Sequence, residues 1–413
     1  MKSWRIQDII DKQIQTIKKG GIAVPSFKSR LLSGAIKSVK PLITGFTIPR
    51  QRQGMELLKI FRPKPKDVQL REAVGCPLPA KWAVPETLIE GKAVLYTHGG
   101  SYVSGSPETH IPIICRLAEK SHFAVLAYDY RLAPEHPYPA ALEDAVAAFD
   151  YLLAEGYTEK DIVVCGDSAG GGLTLALVMK LRELGRPLPA AVCVISPWTD
   201  LTESSDSHYS RAAADPMISS EELREAAALY AGAENLKHPY LSPLFGEYAG
   251  FPPTLIQVGG DEVLLDDSRR LAERMQAQGA EVHIDLYEGL WHVFHMFDIP
   301  EAYEAVEKIA LFFHMMLEVD GLKRRVIRPG AKYRHFKGKE YRVLAVARHS
   351  ETLEEMVVYQ QLYGERGVWV RPLGMFLEIV ERDGKRMYRF EEVPEDAAGE
   401  PDGTGETSGM PEE

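Results

Sequence analysis

An apolar strand that ends in a glycine-flanked serine and turns at once into a helix constrains this chain more than any other feature. The segment reads Ile162-Val163-Val164-Cys165-Gly166-Asp167-Ser168-Ala169-Gly170-Gly171-Gly172. A turn this tight forces its central residue into a strained backbone geometry and lifts the side chain above the sheet. Glycines are needed on both sides because a Cβ there would meet neighbouring backbone. The helix start beneath favours developing negative charge. Ser168 is therefore the candidate nucleophile.

A serine hydroxyl attacks poorly near neutrality, so a base and an orienting acid must follow in the right structural places. Asp261 comes directly after the apolar run 254–258, in Val258-Gly259-Gly260-Asp261-Glu262, and His292 comes after the run 282–287, in Glu288-Gly289-Leu290-Trp291-His292-Val293-Phe294-His295. The order Ser, Asp, His, each at the carboxyl end of a strand, is that of an α/β-hydrolase crevice. His292 is taken over His295, which reads as a packed residue of the following helix. Asp261 is taken over Glu262, Asp266 and Asp267 because it lies nearest the strand end; the others read as solvated or as capping residues of the next helix.

Ester attack also needs hydrogen-bond donors for the oxyanion. The run 92–97 ends in His98-Gly99-Gly100-Ser101-Tyr102, whose small residues leave amides free to point inward. The hole is assigned to the amides of Gly100, Ser101 and Ala169, each donor contributing on the order of 3 kcal/mol. Gly99 lies close enough to share that role, while His98 and Asp167 support the loop. Asp129, Tyr130 and Arg131 suggest a polar network bracing it. Trp291, Phe294 and Tyr102 are candidates for an acyl pocket or, equally, for core.

Around these motifs strands and helices alternate. Runs at 92–97, 124–128, 162–165, 191–195, 254–258 and 282–287 read as buried parallel strands. Helical patterns at 111–120, 139–155, 171–184, 267–278 and 301–317 fall between them, after a Pro-rich connection over 63–85. Residues 1–50 carry amphipathic patterns over 4–17 and 27–39 and read as a helical cap; 51–320 read as the catalytic domain, with a further lid segment near 199–242 holding a helix at about 220–230.

The net charge of −11 is unevenly spread: 321–391 holds 16 Lys and Arg against 9 Asp and Glu, while 392–413 holds 8 acidic residues and no basic one. The texture changes there too, to strand-like runs at 341–347, 356–360, 368–370 and 387–390 separated by turn signals. Residues 326–392 are expected to form a small basic all-β module, SH3-like or barrel-like, and 393–413 a disordered acidic tail. The amino-terminal residues lack a signal peptide pattern and no run reaches about 18 apolar residues, so a cytoplasmic protein without membrane contact is expected. Four unpaired cysteines fit small core residues, and neither metal nor cofactor is expected.

Together, His98-Gly99-Gly100, the segment Tyr130-Arg131-Leu132-Ala133-Pro134-Glu135, Gly166-Asp167-Ser168-Ala169-Gly170-Gly171, Asp261 and His292 resemble the hormone-sensitive lipase family of esterases over about residues 60–317. The resemblance implies an α/β-hydrolase fold with an amino-terminal cap, hydrolysis of short acyl esters without cofactor, and frequent homodimers. Ser101 departs from the third glycine usual in the family, which keeps an amide but narrows the pocket. The stretch Arg328-Pro329-Gly330, Tyr333-Arg334-His335-Phe336-Lys337-Gly338, Ala347-Arg348-His349-Ser350-Glu351-Thr352 and Val370-Arg371-Pro372-Leu373 resembles a small bacterial domain family of unknown function. Its basic residues, Lys332, Arg334, Lys337, Lys339, Arg342 and Arg348, interleave with Tyr333, Phe336 and Tyr341. That pattern is compatible with nucleic acid, though such runs are more often solvated strand faces and the charge can also be met by the acidic body or tail.

A serine carboxylesterase acting on small acyl esters is the function expected. The alternatives are a deacetylase of an acylated sugar or small metabolite, and a ligand-binding protein on the same fold that has lost catalysis.

Overall fold

The computed structural model describes residues 25–43, 47–50, 52–53, 67–317, 319, 327–348, 355–377, 379–382 and 385–393. The helix expected over 4–17 and the acidic stretch after Val393 lie outside the described residues. The chain divides into two compact units, Met1–Gly321 and Leu322–Glu413.

The first unit is built on an eight-stranded sheet. Its strands are β1 (Val68–Glu72), β2 (Ala80–Pro85), β3 (Ala93–Thr97), β4 (Ala124–Tyr128), β5 (Ile162–Asp167), β6 (Ala191–Ile195), β7 (Thr254–Gly259) and β8 (Val282–Tyr287). They lie in the order β1-β2-β4-β3-β5-β6-β7-β8. The pairs β1·β2 and β2·β4 are antiparallel and every pair from β3·β4 to β7·β8 is parallel. The interior strands β3 to β7 are buried along their whole length, as parallel strands covered on both faces must be. Strands β1 and β2 fall inside what the sequence presents as a Pro-rich connection. β1 is an exposed edge strand, so it lacks the buried apolar run by which the others are recognised.

Helices α1 (Phe27–Ile43), α2 (Ile111–Ser121), α3 (Ala140–Ala154), α4 (Ala169–Glu183), α5 (Ser220–Ala231), α6 (Leu265–Ala277) and α7 (Pro300–Met316) surround it. Residues of α3, α4, α5 and α6 share one core with Leu95, Leu126, Val164, Val194 and Ile256. Residues of α2 and α7 share another with Val94, Tyr96, Val125, Cys165 and Ile195 on the opposite sheet face. The period of two along each strand thus feeds two cores. Cap helix α1 packs through Leu32 and Ile36 against Trp291 and Phe294, and Lys40 near its end donates to the carbonyls of Asp215 and Ile218, both 2.7 Å away in the lid segment.

In the second unit, strands β9 (Lys332–His335), β10 (Glu340–Arg348), β11 (Glu355–Gln361), β12 (Val368–Pro372) and β15 (Phe390–Val393) form an antiparallel sheet in the order β12-β11-β10-β9-β15. A two-stranded sheet joins β13 (Ile379–Arg382) to β14 (Lys385–Tyr388). Tyr333, Val343, Val357, Tyr359, Phe376 and Phe390 are its core. The antiparallel β sheet expected here is present, with one short helix, Leu373–Leu377, that brings Phe376 to the core.

Candidate active site

Ser168 sits between β5 and α4 with φ 52° and ψ −124°, a conformation that costs on the order of 1–3 kcal/mol for a residue with a Cβ. Its neighbours hold it there. The Ser168 amide donates to the Ile195 carbonyl at 2.9 Å, and its own carbonyl accepts from the amides of Trp198 and Gly172 at 2.9 and 3.1 Å. The flanking glycines answer to steric need: a Cβ on Gly166 would lie 2.5 Å from the Gly170 carbonyl oxygen, and one on Gly170 would lie 2.2 Å from that of Thr97 and 2.4 Å from that of His98. The turn and the loop after β3 therefore touch backbone to backbone, which is what brings serine and donor loop together.

His292 Nε2 is 3.0 Å from Ser168 Oγ, and His292 Nδ1 is 2.8 Å from Glu262 Oε2. All three are buried. The second oxygen of Glu262 accepts the Gly259 amide at 3.1 Å, so the carboxylate is fixed at both ends. The loop that presents His292 is itself strained, with Val293 at φ 48°, and the Val293 amide is held by Ser196 Oγ at 3.2 Å. Burial disfavours the imidazolium, but the hydrogen bond and charge of Glu262 outweigh it, leaving the His292 pKa above the ordinary imidazole value. Burial raises the Glu262 carboxyl, an effect that its contact with His292 opposes.

The acid is the point at which the sequence reading fails. Asp261 does not approach His292. Its side chain is about one-third exposed and its nearest cation is Arg211, 3.9 Å away. Strand β7 ends at Gly259, and of the two adjacent carboxylates after it the second turns inward. Glutamate's extra methylene lets it reach the imidazole from one residue further along. The other rejected acids also differ from expectation. Asp267 is fully buried and accepts from the amides of Thr199 and Asp200 at 3.0 and 2.9 Å and from Ser205 Oγ at 3.0 Å, so it anchors the lid segment rather than facing solvent or capping a helix. Asp266 accepts the Ser207 amide of the same segment.

The donor loop is braced from three sides. Asp167 accepts the Tyr96 hydroxyl at 2.6 Å and the Gly99 amide at 3.0 Å, with His110 Nε2 3.4 Å from its other oxygen. Burial opposes its charge, yet His110 and Tyr96 keep its pKa below the usual carboxylate value. Tyr130 donates to the His98 carbonyl at 3.0 Å and stacks on the His98 ring at 4.2 Å. Arg52, from the amino-terminal segment, donates to the carbonyls of Val103 and Ala133 at 2.7 and 2.8 Å. His98 is held down to about 3 by burial and the nearby His110, and its Nδ1 lies 2.8 Å from the Gly99 carbonyl oxygen. With the Gly99 amide committed to Asp167, the amides of Gly100, Ser101 and Ala169 remain without an acceptor among the described residues. Ser101 and Tyr102 both have positive φ, 55° and 63°, the region that glycine enters without strain, which gives a physical reason for glycine at this loop position.

Residues 94–296 match the family model described as the alpha/beta hydrolase fold. The chain is 41% identical over 235 residues to an acetyl-hydrolase of Streptomyces hygroscopicus, covering 56% of this chain and 78% of that one. It is 39% identical over 223 residues to an esterase of Acinetobacter venetianus, covering 53% and 73%. A solved esterase from the bacterial hormone-sensitive lipase family superimposes with a TM-score of 0.68 at 37% identity, over 71% of this chain and 99% of its own. The chain belongs to the hormone-sensitive lipase family. As a member of it, the protein is a carboxylic ester hydrolase. Residues 331–392 match a separate family of unknown function, DUF1653.

Within this hormone-sensitive lipase family hydrolase, the structure places Ser168 and His292 together as the sequence leads one to expect, and it seats His295 in the core, with Nε2 2.9 Å from Gln257 Oε1. Trp291, Phe294 and Tyr102 are fully buried. Tyr102 stacks on Tyr230 of α5 at 3.7 Å, which links the donor loop to the lid. Arg131 grips Asp144 through its backbone amide and guanidinium at 2.8 and 2.9 Å. The residues that sequence reasoning misses are Glu262, Tyr96, His110 and Arg52. The last three lie outside any motif and meet the site only through the fold.

Proposed function

We propose that Ser168, His292 and Glu262 are the nucleophile, base and orienting acid of an acyl-enzyme mechanism acting on esters of short acyl chains. The observation that carries the reading is the continuous chain of hydrogen bonds from Ser168 Oγ through both imidazole nitrogens to Glu262. Ser168 Oγ attacks the carbonyl carbon as its proton passes to His292 Nε2. The oxyanion is received by the amides of Gly100, Ser101 and Ala169. The tetrahedral intermediate collapses, His292 returns the proton to the departing alcohol, and water activated by the same nitrogen releases the acid. Glu262 keeps the Nδ1 proton in place and stabilises the transient imidazolium. Short chains are favoured by the near-complete burial of Ser168, and one relative is named an acetyl-hydrolase. A protein that only binds ligand would have no use for the aligned base.

Hydrolysis of p-nitrophenyl esters of increasing acyl length tests this. The rate is expected to be highest for the shortest acyl groups and to fall with length. A maximum at long chains would contradict the acyl-length reading. The pH profile follows from the His292 environment. The base must be neutral, and its pKa lies above the ordinary value of about 6.5; kcat/KM is therefore expected to fall as pH drops through a midpoint above that value. A midpoint below it would mean that Glu262 does not act on His292.

A further inference from the structure

We infer that the carboxyl-terminal module binds single-stranded nucleic acid across a row of aromatic rings flanked by cations. The rings run across neighbouring strands. Trp369 on β12, more than half exposed, donates through Nε1 to Gln361 Oε1 at 3.0 Å. Gln361 pairs in register with Tyr341 of β10, whose hydroxyl lies 2.7 Å from that of Tyr363. His335 continues the row beside Tyr341, with ring centroids 6.4 Å apart, and Phe336 lies 4.3 Å from His335. Two rings of the row have a cation over a face: Lys339 Nζ is 4.5 Å from the centre of Tyr363 and Lys337 Nζ is 5.6 Å from that of Phe336, while Arg371 lies 5.7 Å from the centre of Phe390 in the module's core.

Among the described residues Lys337, Lys339 and Arg371 make no ion pair, while on the same sheet Glu340 pairs with Arg334 and Glu392 with Arg328. Burial first, and then the charges of Arg389, Arg371 and Lys337, hold the His335 imidazole down to about 4. Part-exposed rings with cations beside them offer an unpaired strand both π contacts and charge, since every base has a π face and every phosphate a charge. A duplex hides its bases and would gain only from the cations. The inference concerns the second unit alone and does not depend on the catalytic reading.

The test is fluorescence anisotropy of a labelled oligonucleotide of about 15 nucleotides, long enough for one such platform, titrated with the full chain at low salt. Binding is expected to weaken as salt rises. The double substitution Lys337→Glu with Lys339→Glu, at two exposed positions, is expected to raise Kd about tenfold or more and to lower the magnitude of the slope of log K against log salt by about 1.4. Trp369→Ala is expected to raise Kd with the slope unchanged, which separates stacking from charge. Ester turnover and the thermal unfolding midpoint are expected to stay as in the parent, showing that these variants fold. Equal affinity for the matching duplex, or equal affinity of the variants and the parent, would overturn the inference. Absence of binding by the full chain, the outcome expected if its own acidic residues after Glu391 occupy this face, would overturn it as well.

Discussion

Glu262→Gln is expected to lower kcat about 10³–10⁴-fold, the scale seen when an orienting carboxylate is made neutral with its geometry kept. Asp261→Asn is expected to change kcat by less than about threefold, because surface carboxylates without a buried partner contribute little. The contrast rests on position alone, since the two are adjacent in the chain. Glu262 is buried and 2.8 Å from His292 Nδ1, whereas Asp261 is part-exposed with its nearest cation 3.9 Å away. Glutamine keeps the shape of the side chain but can present an amide donor to Nδ1, which would favour the tautomer that places the proton on Nε2 and so blocks acceptance from Ser168. The sign of the pH effect is also fixed. Removing the Glu262 charge removes what raises the His292 pKa, so the acid limb of the residual activity is expected to move to lower pH. Steady-state kinetics of both variants on one p-nitrophenyl ester read all of this; a collapse in Asp261→Asn with Glu262→Gln unaffected would return the role to Asp261.

Ser168→Ala is expected to reduce kcat by about 10⁶-fold, leaving only the residual acceleration that bound substrate and oxyanion donors supply. The substitution removes only Oγ and keeps the Cβ, and with it the backbone strain, so the fold is expected to be kept and its unfolding midpoint to stay close to that of the parent. The effects of Ser168→Ala and His292→Ala are expected not to add, because the two groups act as one unit. A double variant much slower than either single one would mean that His292 serves some step that does not pass through Ser168.

Much of this architecture is written locally in the chain. Strands β3 to β7 are runs of buried apolar residues with helical stretches between them, so order and type could be read without the fold. The nucleophile turn is legible for the same reason: Gly166 and Gly170 are dictated by contacts within a few residues and with one adjacent loop. The acid is not, because choosing between Asp261 and Glu262 depends on which way one residue faces after a strand ends, and a shift of one position reverses the face. Strand β1 escaped notice because an exposed edge needs no apolar run. His110 and Tyr96 escaped for another reason. Their partner Asp167 is 57 and 71 residues away in the chain, and nothing local marks a polar residue that will be buried against it. Asp267 looks like any helix-start acid until the lid segment is folded onto it.

The most direct test of the central claim is covalent capture. The chain would be incubated with an aryl dialkyl phosphate, which leaves a stable phosphoryl group on an activated serine, and the adduct located by mass spectrometry of its peptides. One adduct per chain, on Ser168, forming in step with loss of esterase activity and slowed strongly by Glu262→Gln but not by Asp261→Asn, is the result expected. Loss of activity with no adduct on Ser168, or labelling indifferent to Glu262, would contradict the account.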